Sequence, residues 1–260
     1  MLNFVIPLRS AKTTTDWAAV QKLLEQTLRS VDNQLCRCFR SLVVCHEQPN
    51  GIEIPDSCEI VQAPFDPPKV NLDEMGSEEA LFEMHSDKGR KLIYGLSRVR
   101  QDPGAFVMFL DADDLVSNRL SELVERNPDC NGWYFNLGYR WNHQTPKLLF
   151  PRKKFFHECG SSYILNAMLA PFPETLDLRK DLDDYFVRRY VVHAYVRENM
   201  EKLGFPLRPL PFHGSIYTFN EHNFFATSFR GKDSKYRKIL RIIAKGKKIT
   251  PQLCSEFCIP

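Results

Sequence analysis

The chain of 260 residues contains no uninterrupted apolar stretch of about 18 residues, the length that a membrane-spanning helix needs. Its first residues lack a basic segment followed by a long apolar one, so they do not resemble a secretory signal. It has no internal repeat and no low-complexity tract. The hydrophobic fraction of 43% and the charged fraction of 26% are typical of a globular protein with a sizeable core. These features predict a cytoplasmic protein.

The chain contains cysteines, but they do not occur at the sequence spacing that zinc sites show. Of the eight cysteines, only Cys36 with Cys38 and Cys254 with Cys258 form close pairs. Neither has a partner pair at the spacing that zinc ligands show. No secretory context supports disulfides, so we expect reduced thiols.

Basic residues are concentrated in the second part of the chain. Residues 1–150 carry 16 Lys and Arg against 21 Asp and Glu, whereas residues 151–260 carry 19 against 11. Nine of these basic residues lie between Arg230 and Lys248, where Asp233 is the one acid and four aliphatic residues are interspersed. The surplus favours an anionic partner. The stretch predicts a short basic helix that lies at the inner face of the membrane, packs on the domain, or folds over a bound diphosphate.

Short apolar runs alternate with helical patterns in the first part of the chain. The runs predicted to be strands are residues 4–7, 39–45 and 59–63. Apolar residues recur at helical spacing over residues 13–31, with Thr15 or Asp16 as the predicted cap, and again over residues 88–100. The prolines and acidic residues of segment 64–86 predict a loop with some helix. This alternation predicts a parallel sheet with helices on its faces.

Beyond residue 114 the pattern changes. Aromatic-rich segments at 133–135 and 139–141 predict strands in an antiparallel or mixed part of the sheet. A further helix is predicted over residues 182–203. We therefore expect one domain with a C-terminal extension.

The most informative feature is an apolar run that ends in acidic residues. Residues 106–110 predict a strand buried on both faces, and Asp111, Asp113 and Asp114 follow it directly. Ligands of open α/β sheets bind beyond the carboxyl ends of the strands. Asp111 and Asp113 are therefore candidate ligands for a hard divalent cation, which prefers oxygen. The alternative is a polar turn before the next helix, which Ser117 is predicted to cap.

Four pieces in this order resemble the GT-A glycosyltransferases, in particular the family 2-like nucleotide-sugar enzymes. They are the strand that ends at Pro7, the strand at 42–44 with an acid beyond it, the basic segment at 88–91, and the Asp-x-Asp at 111–113. The resemblance covers roughly residues 1–140. One departure is His-Glu-Gln-Pro at 46–49, where the family has Asp-Asp-Gly-Ser.

The resemblance implies an α/β fold of the GT-A, Rossmann-like type, with a mixed, mostly parallel sheet flanked by helices. Residues 1–230 would form the glycosyltransferase domain, with 1–114 as the nucleotide-sugar half and 115–230 as the acceptor half. Residues 231–260 would be a basic C-terminal extension. The implied reaction moves a sugar from a nucleoside-diphosphate donor, foremost a UDP-sugar, to a hydroxyl of a saccharide or lipid-linked acceptor. Mn2+ or Mg2+ is the implied cofactor.

By position in the family pattern, eight residues would contact the donor. They are Pro7, Arg9, Glu47, Asp87, Lys88, Lys91, Asp111 and Ala112. Asp111 and Asp113 would ligate the metal, and His193 and His213 are candidates for a further ligand. For the charged residues of this set, the alternative is an ordinary surface ion pair.

An inverting transfer needs a base for the proton of the acceptor hydroxyl. The candidates are Asp184 and then Asp183, which belong to an acidic cluster at the start of a predicted helix. Neighbouring charges there can raise the pKa of one carboxyl group. Acidic residues at a helix start also act as caps, so helix capping is the alternative.

Two other classes of protein remain open. A nucleotidyltransferase that makes nucleotide sugars also uses aspartates and a metal, but it carries a glycine-rich loop after the first strand, and residues 8–12 contain no glycine. A non-catalytic protein that binds anions or nucleic acid through the basic half is the other class. No recognised nucleic-acid-binding motif occurs, so we expect no nucleic-acid partner.

Overall fold

The computed structural model describes residues 1–70, 72–74, 77–142, 146–178, 191, 193–219 and 246–260. Its strands are β1 (Leu2–Pro7), β2 (Phe39–Cys45), β3 (Cys58–Gln62), β4 (Phe106–Phe109), β5 (Leu115–Val116), β6 (Gly132–Tyr134), β7 (Leu137–Asn142), β8 (Leu148–Lys153), β9 (Tyr163–Asn166), β10 (Arg208–Pro209), β11 (Ser215–Phe219) and β12 (Lys247–Lys248). Its α-helices are α1 (Trp17–Asp32), α2 (Glu78–Val99), α3 (Leu120–Glu125), α4 (Val196–Lys202) and α5 (Pro251–Phe257). Short 3-10 helices cover Ala11–Thr13, Leu72–Glu74, Phe155–His157 and His193–Tyr195.

A seven-stranded sheet forms the centre of the molecule, in the order β10-β6-β9-β4-β1-β2-β3. Strands β4, β1, β2 and β3 run parallel, and β9 runs antiparallel between β4 and β6. The chain moves outward from β1 to β2 and β3 and then returns to the other side of β1 as β4. The order therefore reverses between β1 and β4, which is where open α/β sheets form a crevice.

The two long helices cover opposite faces of this sheet. Alternate residues of β1 point to the two faces, so Phe4 and Ile6 pack with Leu28 of α1, whereas Val5 packs with Leu96 of α2. Gly95 lets α2 lie close to β1, because a Cβ at this position would come within 2.3 Å of Val5 Cγ1. The predicted cap Asp16 is confirmed, since its carboxylate accepts the amide of Ala19 at 2.9 Å.

Helix α2 is longer than the sequence pattern predicted. It begins at Glu78 rather than near Lys88, because the hydroxyl of Ser77 accepts the amide of Ala80 at 3.1 Å. Acidic residues in a first helical turn are favourable next to the helix dipole, and Glu78 and Glu79 occupy that turn. The segment predicted as a loop with some helix thus contains the first turns of α2.

The predicted cap of α3 is wrong. No side chain caps this helix at its N-cap position, Arg119. Ser117 instead donates its hydroxyl to Glu256 Oε1 at 2.7 Å, and the neighbouring amide of Asn118 donates to the Glu256 carbonyl at 3.1 Å. Ser117 therefore holds the C-terminal helix α5.

A second sheet has the order β12-β8-β7-β11-β5, and it is antiparallel except for the pairing of β11 with β7. Helix α5 packs on this sheet, with Phe257 fully buried. Of the predicted basic extension, residues 231–245 lie outside the described residues. Residues 246–260 pack against the rest of the chain, and Lys247 and Lys248 pair with β8.

The coarse prediction of an α/β chain with mixed pairing and flanking helices is confirmed. The described strands divide between two sheets, and their pairings are five parallel and five antiparallel. Of the helix predicted over residues 182–203, the described part contains α4. Among the described helices, none has the length and apolar character to cross a membrane.

Candidate functional site

A cleft opens at the carboxyl ends of β1 and β4, at the point where the strand order reverses. Its lining includes five apolar residues, which are Val20, Leu23, Pro68, Leu81 and Met84. The lining also includes several charged residues. Eight predicted site residues line the cleft: Pro7, Arg9, Asp87, Lys88, Lys91, Asp111, Ala112 and Asp113.

Two of the charged residues that line the cleft, Asp111 and Asp113, directly follow β4. Asp111 forms an ion pair with Lys88 of α2, with 2.5 Å between Oδ1 and Nζ. Burial alone would lower the pKa of Lys88, but Asp111 first, and then Asp113 and Asp114, raise it. Burial and the charge of Asp111 raise the pKa of Asp113 to about 7. The site therefore holds more negative charge than Lys88 alone balances.

The chain passes close to this pair at Gly160. A Cβ on Gly160 would lie 3.1 Å from Asp111 Oδ2 and 3.7 Å from Lys88 Nζ. This distance is shorter than ordinary van der Waals contact, so a side chain at position 160 would require the Asp111 carboxylate to shift by a few tenths of an ångström.

Asp111 and Asp113 fit a divalent cation of a particular kind. The described part of the chain contains no group of three or more His, Cys, Asp or Glu residues that could hold a metal by themselves. Mg2+ at phosphate-transfer sites is typically bound by one or two carboxylates, with substrate phosphates and water as the other ligands. Two neighbouring carboxylates with a surplus of negative charge match that donor set.

Asp87 and Lys91 line the cleft, but their charged groups form an ion pair with each other. The two oxygens of Asp87 lie 2.6 Å from His46 Nε2 and 2.6 Å from Lys91 Nζ. Lys91 is 1% exposed and also donates to the carbonyl of Leu8 at 2.8 Å. Burial lowers the pKa of Lys91, and Asp87 opposes that shift. This group fixes α2 to the loop that follows β1.

Arg9 and Glu47 hold the loop itself. The guanidinium of Arg9 bonds to the side chain and the carbonyl of Thr13, and burial lowers its pKa. Glu47 accepts the hydroxyl of Ser10 and the amide of Ala11, both at 3.0 Å. Arg9 lines the cleft, whereas Glu47 lies in a neighbouring groove.

The predicted histidines are separated by the fold. His213 stacks on Tyr139 of the second sheet, with ring centroids 4.2 Å apart, and it is not among the cleft residues. His193 is close enough to the ion pair for Lys88 and Asp111 to influence its pKa, which burial lowers. Its Nε2 is buried without a hydrogen-bond partner in the described part of the chain. The predicted bases Asp183 and Asp184 lie outside the described residues.

Sequence reasoning gave Asp114 no role beyond a turn. In the structure it is fully buried and is bonded by Cys159, Ser161 and Thr218. These partners lie between 45 and 104 residues away along the chain. No local pattern could have signalled the contacts.

The chain matches no protein-family model, and no curated protein matches it.

Proposed function

We propose that this chain is a metal-dependent glycosyltransferase of the GT-A type. It transfers a sugar from a nucleoside diphosphate, foremost a UDP-sugar, to a hydroxyl of a saccharide or lipid-linked acceptor. The observation that carries the proposal is the placement of Asp111 and Asp113 beyond β4, in the crevice where the strand order reverses. Fold and site thus support the same ligand class.

The lining of the cleft offers contacts for both parts of such a donor. Apolar side chains from α1 and α2 offer a surface for the uncharged base. In the same cleft, Asp111, Asp113 and Lys88 would contact a diphosphate and its cation. A ligand that combines an uncharged ring with a metal-bound diphosphate suits this lining.

In the reaction, Asp111 and Asp113 would hold Mn2+ or Mg2+. The cation would act as a Lewis acid toward the leaving diphosphate. Lys88 of α2, which pairs with Asp111, would add a positive charge beside the same leaving group. Lys91 and Asp87 would fix the position of α2 relative to the loop after β1, and both of these elements line the donor cleft.

A panel of nucleotide sugars tests this proposal. With Mn2+ present, the chain should hydrolyse or transfer one class of donor and release the nucleoside diphosphate. Asp113→Asn should abolish the release, whereas Asp129→Asn should not. Asp129 is exposed in the loop before β6, toward the amino end of β4, whereas Asp113 follows the carboxyl end of β4. Release of pyrophosphate from UTP and a sugar 1-phosphate, with no release from any nucleotide sugar, would replace the proposal by a nucleotidyltransferase.

A further inference from the structure

Asp114 directly follows the carboxylate pair, yet it is fully buried. Its Oδ2 accepts the hydroxyl of Ser161 at 2.6 Å and the thiol of Cys159 at 3.2 Å. Its Oδ1 accepts the amide of Thr218 at 3.1 Å. We refer to Asp114, Cys159, Ser161 and Thr218 as the Asp114 cluster.

Ser161 links this cluster to the candidate metal ligand. Its hydroxyl oxygen accepts the amide of Asp111 at 2.9 Å. An amide nitrogen only donates, and a hydroxyl has one proton, so that proton is directed to Asp114. The amide of Asp114 in turn donates to the carbonyl of Asp111 at 3.1 Å. Residues 111–114 are thus closed into one turn and bonded at both ends.

The cluster joins segments that are distant along the chain. Cys159 and Ser161 belong to the loop before β9, and Thr218 lies in β11 of the second sheet. A buried carboxylate without donors would be strongly unfavourable, and three donors satisfy this one. The loop also contains Gly160, where a Cβ would lie 3.1 Å from Asp111 Oδ2.

We propose that Asp114 is a positioning residue for the carboxylate pair, acting through Ser161 on the backbone of Asp111. The inference rests on the proposed function for its consequence, but the positioning itself is a property of the fold. Asp114 and Ser161 touch neither donor nor cation. They set the distance between the Asp111 carboxylate and Lys88 by fixing the loop from which Asp111 projects.

Amide hydrogen exchange followed by NMR measures the positioning without any ligand. In Ser161→Ala the amide of Asp111 loses its acceptor, so its exchange should accelerate by about tenfold or more relative to the wild type. The matched control is Ser162→Ala. Ser162 is equally buried in the same loop, but its hydroxyl donates to the carbonyl of Cys159 at 2.5 Å. The control should leave exchange at Asp111 within about twofold.

The consequence is measured by calorimetry with UDP and Mn2+. We expect affinity to fall by about tenfold in Ser161→Ala and to stay within about twofold in Ser162→Ala. Equal effects of the two variants on Asp111 exchange would overturn the proposal. Asp114→Asn, which cannot accept all three donors, repeats both measurements if Ser161→Ala does not fold. If the wild type binds no UDP and Mn2+, the proposed function fails while the exchange result still decides the positioning.

Discussion

At the scale of single residues, the carboxylate pair carries most of the proposed chemistry. Asp111 Oδ1 lies 2.5 Å from Lys88 Nζ, and the pKa of Asp113 is raised to about 7 by burial and by Asp111. Both observations describe a site in which negative charge exceeds the positive charge that Lys88 supplies. A bound cation would stabilise such a site by neutralising the excess negative charge.

The pKa of Asp113 predicts a pH dependence of metal binding. A proton and a divalent cation compete for the same carboxylate, so Mn2+ affinity should rise as the pH increases toward about 7 and level off above it. Electron paramagnetic resonance of free Mn2+ at fixed ionic strength measures the affinity. Asp113→Asn should lose both the affinity and its slope. A flat profile between about pH 5 and 8 in the wild type would show that Asp113 is not a ligand.

The same shift has a consequence for stability in EDTA. The pKa of Asp113 in the folded state lies above its ordinary value of 3.8, so the folded state holds this proton more tightly than the unfolded chain does. Stability from this residue is therefore present below about pH 4 and is lost as the pH rises to about 7.

Lys88 is expected to affect two ligands in opposite directions. Lys88→Met frees Asp111 from its ion pair, so Mn2+ without nucleotide should bind at least about threefold more tightly. UDP in the presence of Mn2+ should bind about tenfold more weakly, because a positive charge near the diphosphate is lost. Calorimetry measures both, with Lys22→Met on the exposed side of α1 as the control. A loss of both affinities would contradict the competition between Lys88 and the cation.

At the scale of elements, α2 carries the group that fixes the cleft. Lys91 bonds to Asp87 within the helix and to the carbonyl of Leu8 after β1. The helical spacing of residues 88–100 could be read from the sequence, and so could the end of β4. The mutual pairing of Lys91, Asp87 and His46 could not, because charges on a helix are ordinarily solvated and nothing local marks them as buried.

Lys91→Met tests that group. Removing one member of a buried ion pair leaves a buried charge, so the free energy of unfolding in urea should fall by roughly 3–5 kcal/mol. Arg98→Met on the same helix breaks an exposed pair with Glu59, and it should cost no more than about 1 kcal/mol. Similar losses for the two variants would mean that burial of Lys91 does not matter to stability.

At the scale of the whole molecule, local patterns predicted the strands of the parallel region closely. Residues 39–45 form the predicted strand, and the apolar run before Asp111 is β4. The second sheet and the Asp114 cluster escaped prediction because their contacts join residues that are far apart along the chain. For the same reason, the C-terminal residues were predicted as an extension. Only tertiary packing reveals that Phe257 lies in a core.

Phe257→Ala tests whether that packing belongs to the main folding unit. Emptying a fully buried phenylalanine site should lower the free energy of unfolding by roughly 3–5 kcal/mol and leave a single transition by fluorescence and circular dichroism. Phe82→Ala is the control, because Phe82 is 55% exposed. An unchanged main transition in Phe257→Ala would show that residues 246–260 fold separately.

The central claim is that Asp111 and Asp113 bind a nucleoside diphosphate through a divalent cation. Calorimetric titration of UDP with Mn2+ and with EDTA, on the wild type and on Asp113→Ala, tests it most directly. We expect binding by the wild type that EDTA weakens by at least about tenfold, and weak binding by Asp113→Ala that EDTA does not change. Equal UDP affinity of the wild type with Mn2+ and with EDTA would contradict the claim.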